Sequence, residues 1–476
     1  MSKANYDVTV DFVGGSASDV TQSMYLITFR GIQILMDCGL YQSNNLCRDY
    51  RINHNPIKGL KPQEIDYIFI SHAHTDHCGA LPRLFAEGCR AKIIVPKGNK
   101  NLISLMLKDC AKIFKSDAER LERNFRMKNV SPLYLDDDVD LCLDYIEEFN
   151  FGEMYELTED IHFRFYHAGH ILASAQILLQ FQCGNLIKRI GYTGDIGSVH
   201  ARQFCEKCEE LPFVDVLIGE STYSQLGRGN NLPIVITQNI LEQIVNRCKK
   251  TPGAKVIIPV FSLDRLQTVL NELEILRYHT QLPTIIVDAP LGIEISKEYN
   301  RLSEDFDKAN RTRWKRIWKD KNIIWNTDYN TSRYWQDAPC NAIVLTTSGM
   351  CCNGRSVAWL QKYLPNKDSA IVFVGYTGEK TTADYVCKCK PNAEVSIGGT
   401  RYRKRAEVTE LASFSSHKNY KELMNYYSSG RFLRLYLVHG NMDSKALFAS
   451  AVENHLRVRN NTAKVYAATQ GLKITI

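Results

Sequence analysis

The stretch SHAHTDHCGALP, residues 71–82, sets three histidines and an aspartate within six residues, directly after the apolar run IDYIFI. The chain has only 12 histidines in 476 residues, so a quarter of them stand here. Neutral imidazole and carboxylate are the preferred ligands of a borderline divalent ion such as zinc. Burying these groups without an ion would require a hydrogen-bond partner for each. In an extended segment His72 and His74 point to the same side and can reach one ion, while Asp76 and His77 fall beyond a turn and can reach a second. Two ions about 3.5 to 4 Å apart that share a carboxylate form a clamp suited to phosphodiester hydrolysis. Each ion still needs ligands from elsewhere in the chain.

Other side chains of the same type stand where apolar runs end elsewhere in the chain. Asp37 follows IQILM, Asp195 follows IGYTG, Glu220 follows VDVLIG and His439 follows RLYLV. Further runs of this kind are KVIIPVFS, TIIVDAPLG, AIVLTTSGM and AIVFVGYTG. Several are followed by helical periodicity, as in DRLQTVLNELEILRYH and SVAWLQKYL, so the class is α/β throughout. Loops at strand ends, held by a rigid sheet, can bring distant catalytic groups to one place.

Length and charge bound the organisation. A chain of 476 residues exceeds what one core usually serves, which predicts two domains. Residues 221–405 hold 27 Lys and Arg against 17 Asp and Glu, a net of +10, whereas the rest of the chain carries −3 of the total +7. The densest parts are RTRWKRIWKDK at 311–321 and RYRKR at 401–405, where basic residues alternate with Trp and Tyr. That mixture suits a polyanion whose bases stack on aromatic rings, and it equally suits the solvated face of a helix. No apolar run approaches the roughly 20 residues a membrane helix needs, and MSKANYDVTV lacks a signal-peptide core. Fifteen scattered cysteines, with Cys351 beside Cys352, fit reduced thiols in a cytoplasmic protein, or a nuclear one if the source is eukaryotic. The lone CxxC pair, Cys205 and Cys208, has no second pair with which to close a structural zinc site.

Taken in order, MDCG (Asp37), HxHxDH (His72, His74, Asp76, His77), AGH (His170) and TGD (Asp195) resemble the motifs of the metallo-β-lactamase fold. GESTY (Glu220), SFSSHKNY (His417) and LVHG (His439) resemble the three additional motifs of the β-CASP nucleases. These include the endonuclease subunit of the eukaryotic pre-mRNA 3′-end cleavage factor and its bacterial and archaeal RNA-processing relatives. VDFVGGSASDVTQSMYLI, PVFSLDRLQ, APLG, TTSGMCCNGR and VGYTGEKT are similar too, so the likeness runs almost end to end. It implies an αββα sandwich over residues 1–220 and 406–476, interrupted by an inserted β-CASP α/β domain over 221–405.

The same resemblance implies two Zn²⁺ per chain: one held by His72, His74 and His170, the other by Asp76, His77 and His439, with Asp195 bridging. Asp37 would orient a histidine ligand. His417 would be the general acid, held by Glu220, with Asp76 and Asp195 completing the catalytic set. In the insert, Ser348, Arg355 and Thr377 after strands, and Arg401, Arg403, Lys404 and Arg405, are candidates for contact with phosphates. The implied activity is zinc-dependent hydrolysis of RNA, endonucleolytic by the look of SFSSH and RNA-directed by the histidine of LVHG. Small-molecule hydrolysis on the same metal core, or DNA cleavage, is the alternative. RNA is the expected partner, with no membrane, and a homodimer or an RNA-processing complex stays open. Two departures stand out: Asn441 where relatives carry an acidic residue, and Gln22 where they carry glycine. His54, His162, His200, His279 and His455 read as ordinary residues, and His167 as either ordinary or auxiliary.

Overall fold

The computed structural model describes residues 6–199, 204–227, 234–375, 377–411 and 414–476. Its sheets differ in how many faces each strand buries. In Ile161–His167 the buried Ile161, Phe163 and Phe165 alternate with half-buried neighbours, as in a strand with one face on a core. In Lys255–Pro259, Ala342–Thr346 and Ala370–Val374 every residue is buried, as in a parallel sheet covered on both faces. The two patterns belong to two units.

The first unit comprises Met1–Val199, Cys205–Arg228 and His417–Ile476. It contains two seven-stranded sheets. One runs Lys473–Thr475, Val8–Asp11, Tyr25–Phe29, Ile32–Met36, Tyr67–Phe69, Lys92–Pro96, Ile146–Phe149. The other runs Lys464–Ala467, Phe432–Val438, Val214–Glu220, Leu186–Tyr192, Ala175–Cys183, Ile161–His167, Met154–Thr158. Val10, Ile27 and Phe69 of the first meet Phe163, Ile177 and Val216 of the second in one buried cluster, so the sheets are stacked face to face. On the outer face of the second sheet, Leu178, Leu217 and Leu435 pack against Leu423, Phe448 and Val452 of the helices Tyr420–Tyr427 and Met442–Val458. This is the αββα sandwich. Chain ends and middle are joined in register, with Thr9 opposite Thr475 and Glu220 opposite Val438.

The second unit spans His200–Phe204 and Gly229–Ser416. Its six-stranded sheet runs Ile323–Trp325, Thr284–Asp288, Ala342–Thr346, Lys255–Pro259, Ala370–Val374, Glu407–Leu411, every pair parallel. Expecting the insert to close at 405 leaves out its edge strand, because Glu407–Leu411 pairs with Ala370–Val374 and carries this unit on to Ser416. Phe204, expected within the first domain, belongs here as well: its ring packs on Phe306 and Trp314 at 5.2 and 5.1 Å. Among the described residues no helix is long and apolar enough to cross a membrane. Among the described residues no two cysteines are joined by a disulfide.

Candidate metal centre

Within the first unit, strand ends deliver the side chains. Asp37 follows Ile32–Met36, Glu220 ends Val214–Glu220, and His439 follows Phe432–Val438. Beyond Tyr67–Phe69 the chain bends at Ser71 and Ala73 and reaches His74, whose extended backbone caps the short helix Thr75–Cys78 carrying Asp76 and His77. Asp37 and His439 hold φ of +57° and +51°, a conformation L-residues rarely adopt. Three further loops are drawn together at Gly197, where a Cβ would fall 1.5 Å from the carbonyl oxygen of Gly169. Gly197 also bridges to His417, so a glycine is required for the His170, Asp195 and His417 loops to meet.

The side chains form two sets that share one carboxylate. His72 Nε2 lies 3.0 Å from His74 Nδ1, which is 3.3 Å from His170 Nε2. Asp195 Oδ2 faces this set, 3.7 Å from His72 Nε2 and 3.6 Å from His170 Nε2. In the second set Asp76 Oδ2 is 3.3 Å from His439 Nε2 and 3.8 Å from His77 Nε2. The other oxygen of Asp195, Oδ1, faces that set, 3.4 Å from His77 and 3.6 Å from His439 Nδ1. His417 stands alongside, its Nε2 4.0 Å from Asp195 Oδ2 and its Nδ1 3.3 Å from Glu220 Oε1. His72, His77, His170, Asp195, Glu220 and His439 are buried, while His74, Asp76 and His417 open partly to solvent.

The electrostatics suit a divalent cation. Burial first, and neighbouring imidazoles second, hold His72 and His170 well below the usual histidine range, and burial brings His74 down to about 4. These rings are neutral and offer lone pairs. Against the effect of burial, His77 and His439 hold Asp76 down to about 2, and His439, His77 and His417 hold Asp195 well below its ordinary value. His77 is raised although burial opposes it, because Asp195, Asp76 and Asp37 surround it. The carboxylates therefore call for compensating positive charge. His77 Nε2 and Asp195 Oδ1, both buried, make no hydrogen bond, which leaves donor atoms aimed at the centre of the site. Imidazole nitrogen and carboxylate oxygen in these numbers are a fitting donor set for zinc.

The rings are aimed from behind. Asp37 accepts from the Ser71 N–H at 2.7 Å, the Ser71 hydroxyl at 2.8 Å, the His77 Nδ1–H at 2.7 Å and the Tyr192 hydroxyl at 2.6 Å. With its proton given to Asp37, the Ser71 oxygen accepts from His72 Nδ1–H at 3.0 Å. One carboxylate thus orients a histidine of each set, His77 directly and His72 through Ser71. Thr222 does the same for His439. Its hydroxyl lies 2.9 Å from Nδ1 and 3.4 Å from the His439 carbonyl, so Nδ1 is engaged from behind while Nε2 faces Asp76 at 3.3 Å. The sequence reading passes over Ser71 and Thr222, although Ser71 precedes His72 directly and Thr222 stands two positions after Glu220 in GESTY.

A family model described as the Beta-Casp domain matches residues 266–386, within the second unit. The chain is a β-CASP member of the metallo-β-lactamase superfamily. A second model, described as anti-Pycsar protein Apyc1, matches residues 11–228. Among similar proteins, ribonuclease TTHA0252 of Thermus thermophilus is 28% identical over 90% of this chain and 92% of its own length. The transcription termination factor FttA of Methanocaldococcus jannaschii is 26% identical over 94% of this chain and 69% of its own. Integrator complex subunit 11 of Gallus gallus is 24% identical over 93% of this chain and 71% of its own. The crystal structure of a protein of unknown function from Enterococcus faecalis shares the fold, with a TM-score of 0.55 at 12% identity, covering 99% of this chain and 100% of that one.

In the β-CASP unit the candidate phosphate contacts divide. Arg401, Arg403 and Arg405 are exposed, with Arg403 4.0 Å from Glu394. Lys404 is buried, and its ammonium donates to the carbonyls of Val386, Cys387 and Cys389 at 2.8, 3.3 and 2.7 Å. It is a scaffold residue, because an ammonium held by three carbonyls has no donor left for a phosphate. Arg355 likewise turns inward, paired with the fully buried Asp288 and donating to the carbonyls of Asn326 and Thr327. The Ser348 hydroxyl donates to the Asn353 carbonyl, and that of the buried Thr377 to Glu410, both at 3.2 Å.

In the metallo-β-lactamase unit of this β-CASP chain, Asn441 caps the helix Met442–Val458, and Gln22 adopts φ +63° with its side chain accepting from the Gly15 N–H. Among the described residues His54, His162, His167, His279, His455 and the Cys205–Cys208 pair join no metal-type cluster. His167 stacks flat on Phe151 at 3.9 Å. His200 lies outside the described residues.

Proposed function

We propose that this β-CASP protein is a zinc-dependent ribonuclease that hydrolyses RNA phosphodiester bonds endonucleolytically with two metal ions. One observation carries the reading: Asp195 turns one oxygen to each of two histidine-rich sets, with a carboxylate-held histidine at its side. His72, His74 and His170 would hold one ion, Asp76, His77 and His439 the other, and Asp195 would contact both. Bound there, two divalent ions offset the charge of a phosphodiester and make water acidic enough to attack near neutral pH.

The remaining chemistry belongs to the side chains. His417 is assigned protonation of the leaving oxygen. Burial alone would depress its pKa, but Glu220, the hydrogen bond to it, Asp195 and Asp76 outweigh burial and raise it, which favours the protonated ring that a general acid needs. Glu220 is itself pinned, accepting from the Ile196 N–H at 2.9 Å and the Thr222 N–H at 3.0 Å, and so keeps Nδ1 of His417 engaged and Nε2 facing the reaction. RNA is the assigned substrate because the relative aligned over 92% of its own length is named a ribonuclease.

Purified protein incubated with end-labelled RNA tests this directly. Internal fragments should form at early times, a chelator should stop them, added zinc should restore them, and metal analysis should return two zinc ions per chain. Stepwise shortening from one end in place of internal fragments would refute the endonucleolytic part. Cleavage undiminished by chelation would sink the metal mechanism.

A further inference from the structure

The basic helix Lys308–Lys319 in the second unit divides its residues in a way the sequence does not show. Read from sequence, its tryptophans are candidate platforms for bases. In the structure Trp314 is fully buried, packed on Phe204 and Tyr299, and Trp318 is turned to Trp325 at 5.1 Å. Asn310, Trp314 and Ile317 form the inward stripe at i, i+4 and i+7. The cations are what remain outside.

Thr312, Lys315, Arg316 and Lys319, all exposed, line one wall of an open groove of about 540 Å³. The opposite wall comes from the end of the helix Arg265–Leu276, where Arg277 lies 3.4 Å from Glu274 and is also paired with Asp320. One arginine thus holds both carboxylates of the groove. Lys315 is held by Glu304 at 2.6 Å, on the rim, in a pair whose side chains are 47% and 66% exposed. Among the described residues no carboxylate pairs with Arg316 or Lys319. Beside them stands Tyr278, 65% exposed, with the Arg316 guanidinium over its ring at 5.8 Å and donating to its hydroxyl. The aromatic surface missing from the tryptophans is supplied by this tyrosine, from the turn that follows the helix Arg265–Leu276.

We propose that this groove binds a single-stranded segment of the RNA substrate, with Arg316 and Lys319 on successive phosphates and a base stacked on Tyr278. The proposal rests on the ribonuclease reading and adds to it a substrate-binding site built wholly within the second unit. Two cations one helical turn apart neutralise neighbouring backbone charges, and an exposed ring already flanked by a guanidinium offers a planar face that any base can use. A duplex keeps its bases stacked inside and cannot use that ring, and an acidic peptide without aromatic side chains has nothing to stack on it.

The test uses the full-length zinc-loaded protein and a fluorescent oligouridylate with cleavage-resistant phosphorothioate linkages. Binding is followed by anisotropy across a salt series. Replacing Arg316 and Lys319 together by glutamine should make the logarithmic salt slope shallower by about 1.4, since each lost contact to a single strand removes about 0.7. Tyr278→Ala should weaken binding on the order of 10-fold with the slope unchanged, because stacking releases no counterion. Both variants should hydrolyse bis-p-nitrophenyl phosphate at the parent rate. With unmodified protein, RNA carrying 4-thiouridine should crosslink to the peptide containing Tyr278. Parent-like affinity and slope in both variants, with no crosslink at that peptide, overturn the groove while leaving the ribonuclease intact. Equal competition by polyglutamate overturns the choice of RNA as its occupant. A parent protein that neither binds nor cleaves RNA removes both proposals.

Discussion

Asp195 in the first unit and Asp288 in the second are both buried carboxylates at or just beyond strand ends, yet their surroundings are unlike. Asp288 is saturated: Asn326 Nδ2 and Trp359 Nε1 donate to it at 2.8 Å each, the Ser332 hydroxyl donates as well, and Arg355 pairs with it. Asp195 faces four imidazoles at 3.4 to 3.7 Å, and its Oδ1 makes no hydrogen bond. A buried charge whose lone pairs are all answered by donors holds a fold together. One whose two oxygens face imidazole nitrogens at 3.4 to 3.7 Å, with no hydrogen bond to Oδ1, is placed where a shared cation could sit. Residue type alone makes the two look equivalent; the neighbours separate them.

The sharpest way to break that contrast is to remove the shared ligand. Asp195→Ala should abolish RNA cleavage and lower bound zinc below two per chain, while the far-ultraviolet spectrum stays that of the parent. Full zinc together with full activity would take Asp195 out of the site. Next in size is His417→Ala, which should keep both metals and RNA binding and lose about 10² to 10⁴ in cleavage rate, the usual contribution of general acid catalysis. Bis-p-nitrophenyl phosphate, whose leaving oxygen needs little protonation, should slow far less. If zinc is lost, or both substrates slow equally, His417 is a ligand or a structural residue. Glu220→Gln should give a milder form of the same defect.

On the scaffold side, Arg355→Met leaves Asp288 buried without its charge partner. It should destabilise the protein by about 3 to 5 kcal/mol in urea unfolding. RNA affinity per folded molecule should be unchanged. A stable variant with weakened RNA binding would return Arg355 to the phosphate-contacting role suggested by its position after a strand. The smallest effect belongs to Thr222→Val, which removes the hydroxyl behind His439 and keeps the shape. Affinity for one of two zinc ions should fall about 10- to 100-fold in chelator competition, with Thr222→Ser close to the parent. Equal affinity in the valine variant would mean that the backbone alone orients His439.

The histidine and aspartate sets were legible in sequence because metal chemistry restricts residue type, and HxHxDH fixes four donors by local spacing. The strands that carry the other donors were legible as well, since period-two and all-apolar runs record how many faces a strand buries. Lys404 and Arg355 were misread for a reason of the same physical kind. A cation in a loop meets phosphate or protein according to what packs beneath it, and nothing nearby in sequence records that three carbonyls close around Lys404 or that Asp288 lies under Arg355. The helix 308–319 makes the same point in reverse, with Trp314 drawn into the core, Trp318 turned to Trp325, and Tyr278 left exposed beside its cations. The edge strand at 407–411 was invisible too, because EVTEL has no apolar run and becomes a strand only through the backbone bonds Ala370–Val374 offers it. What the sequence determined by itself is chemistry tied to residue identity and local period. What only the tertiary structure decided is which charged groups are answered from within the protein and which are left for a ligand, because hydrogen-bond satisfaction of a buried group depends on neighbours drawn from anywhere in the chain.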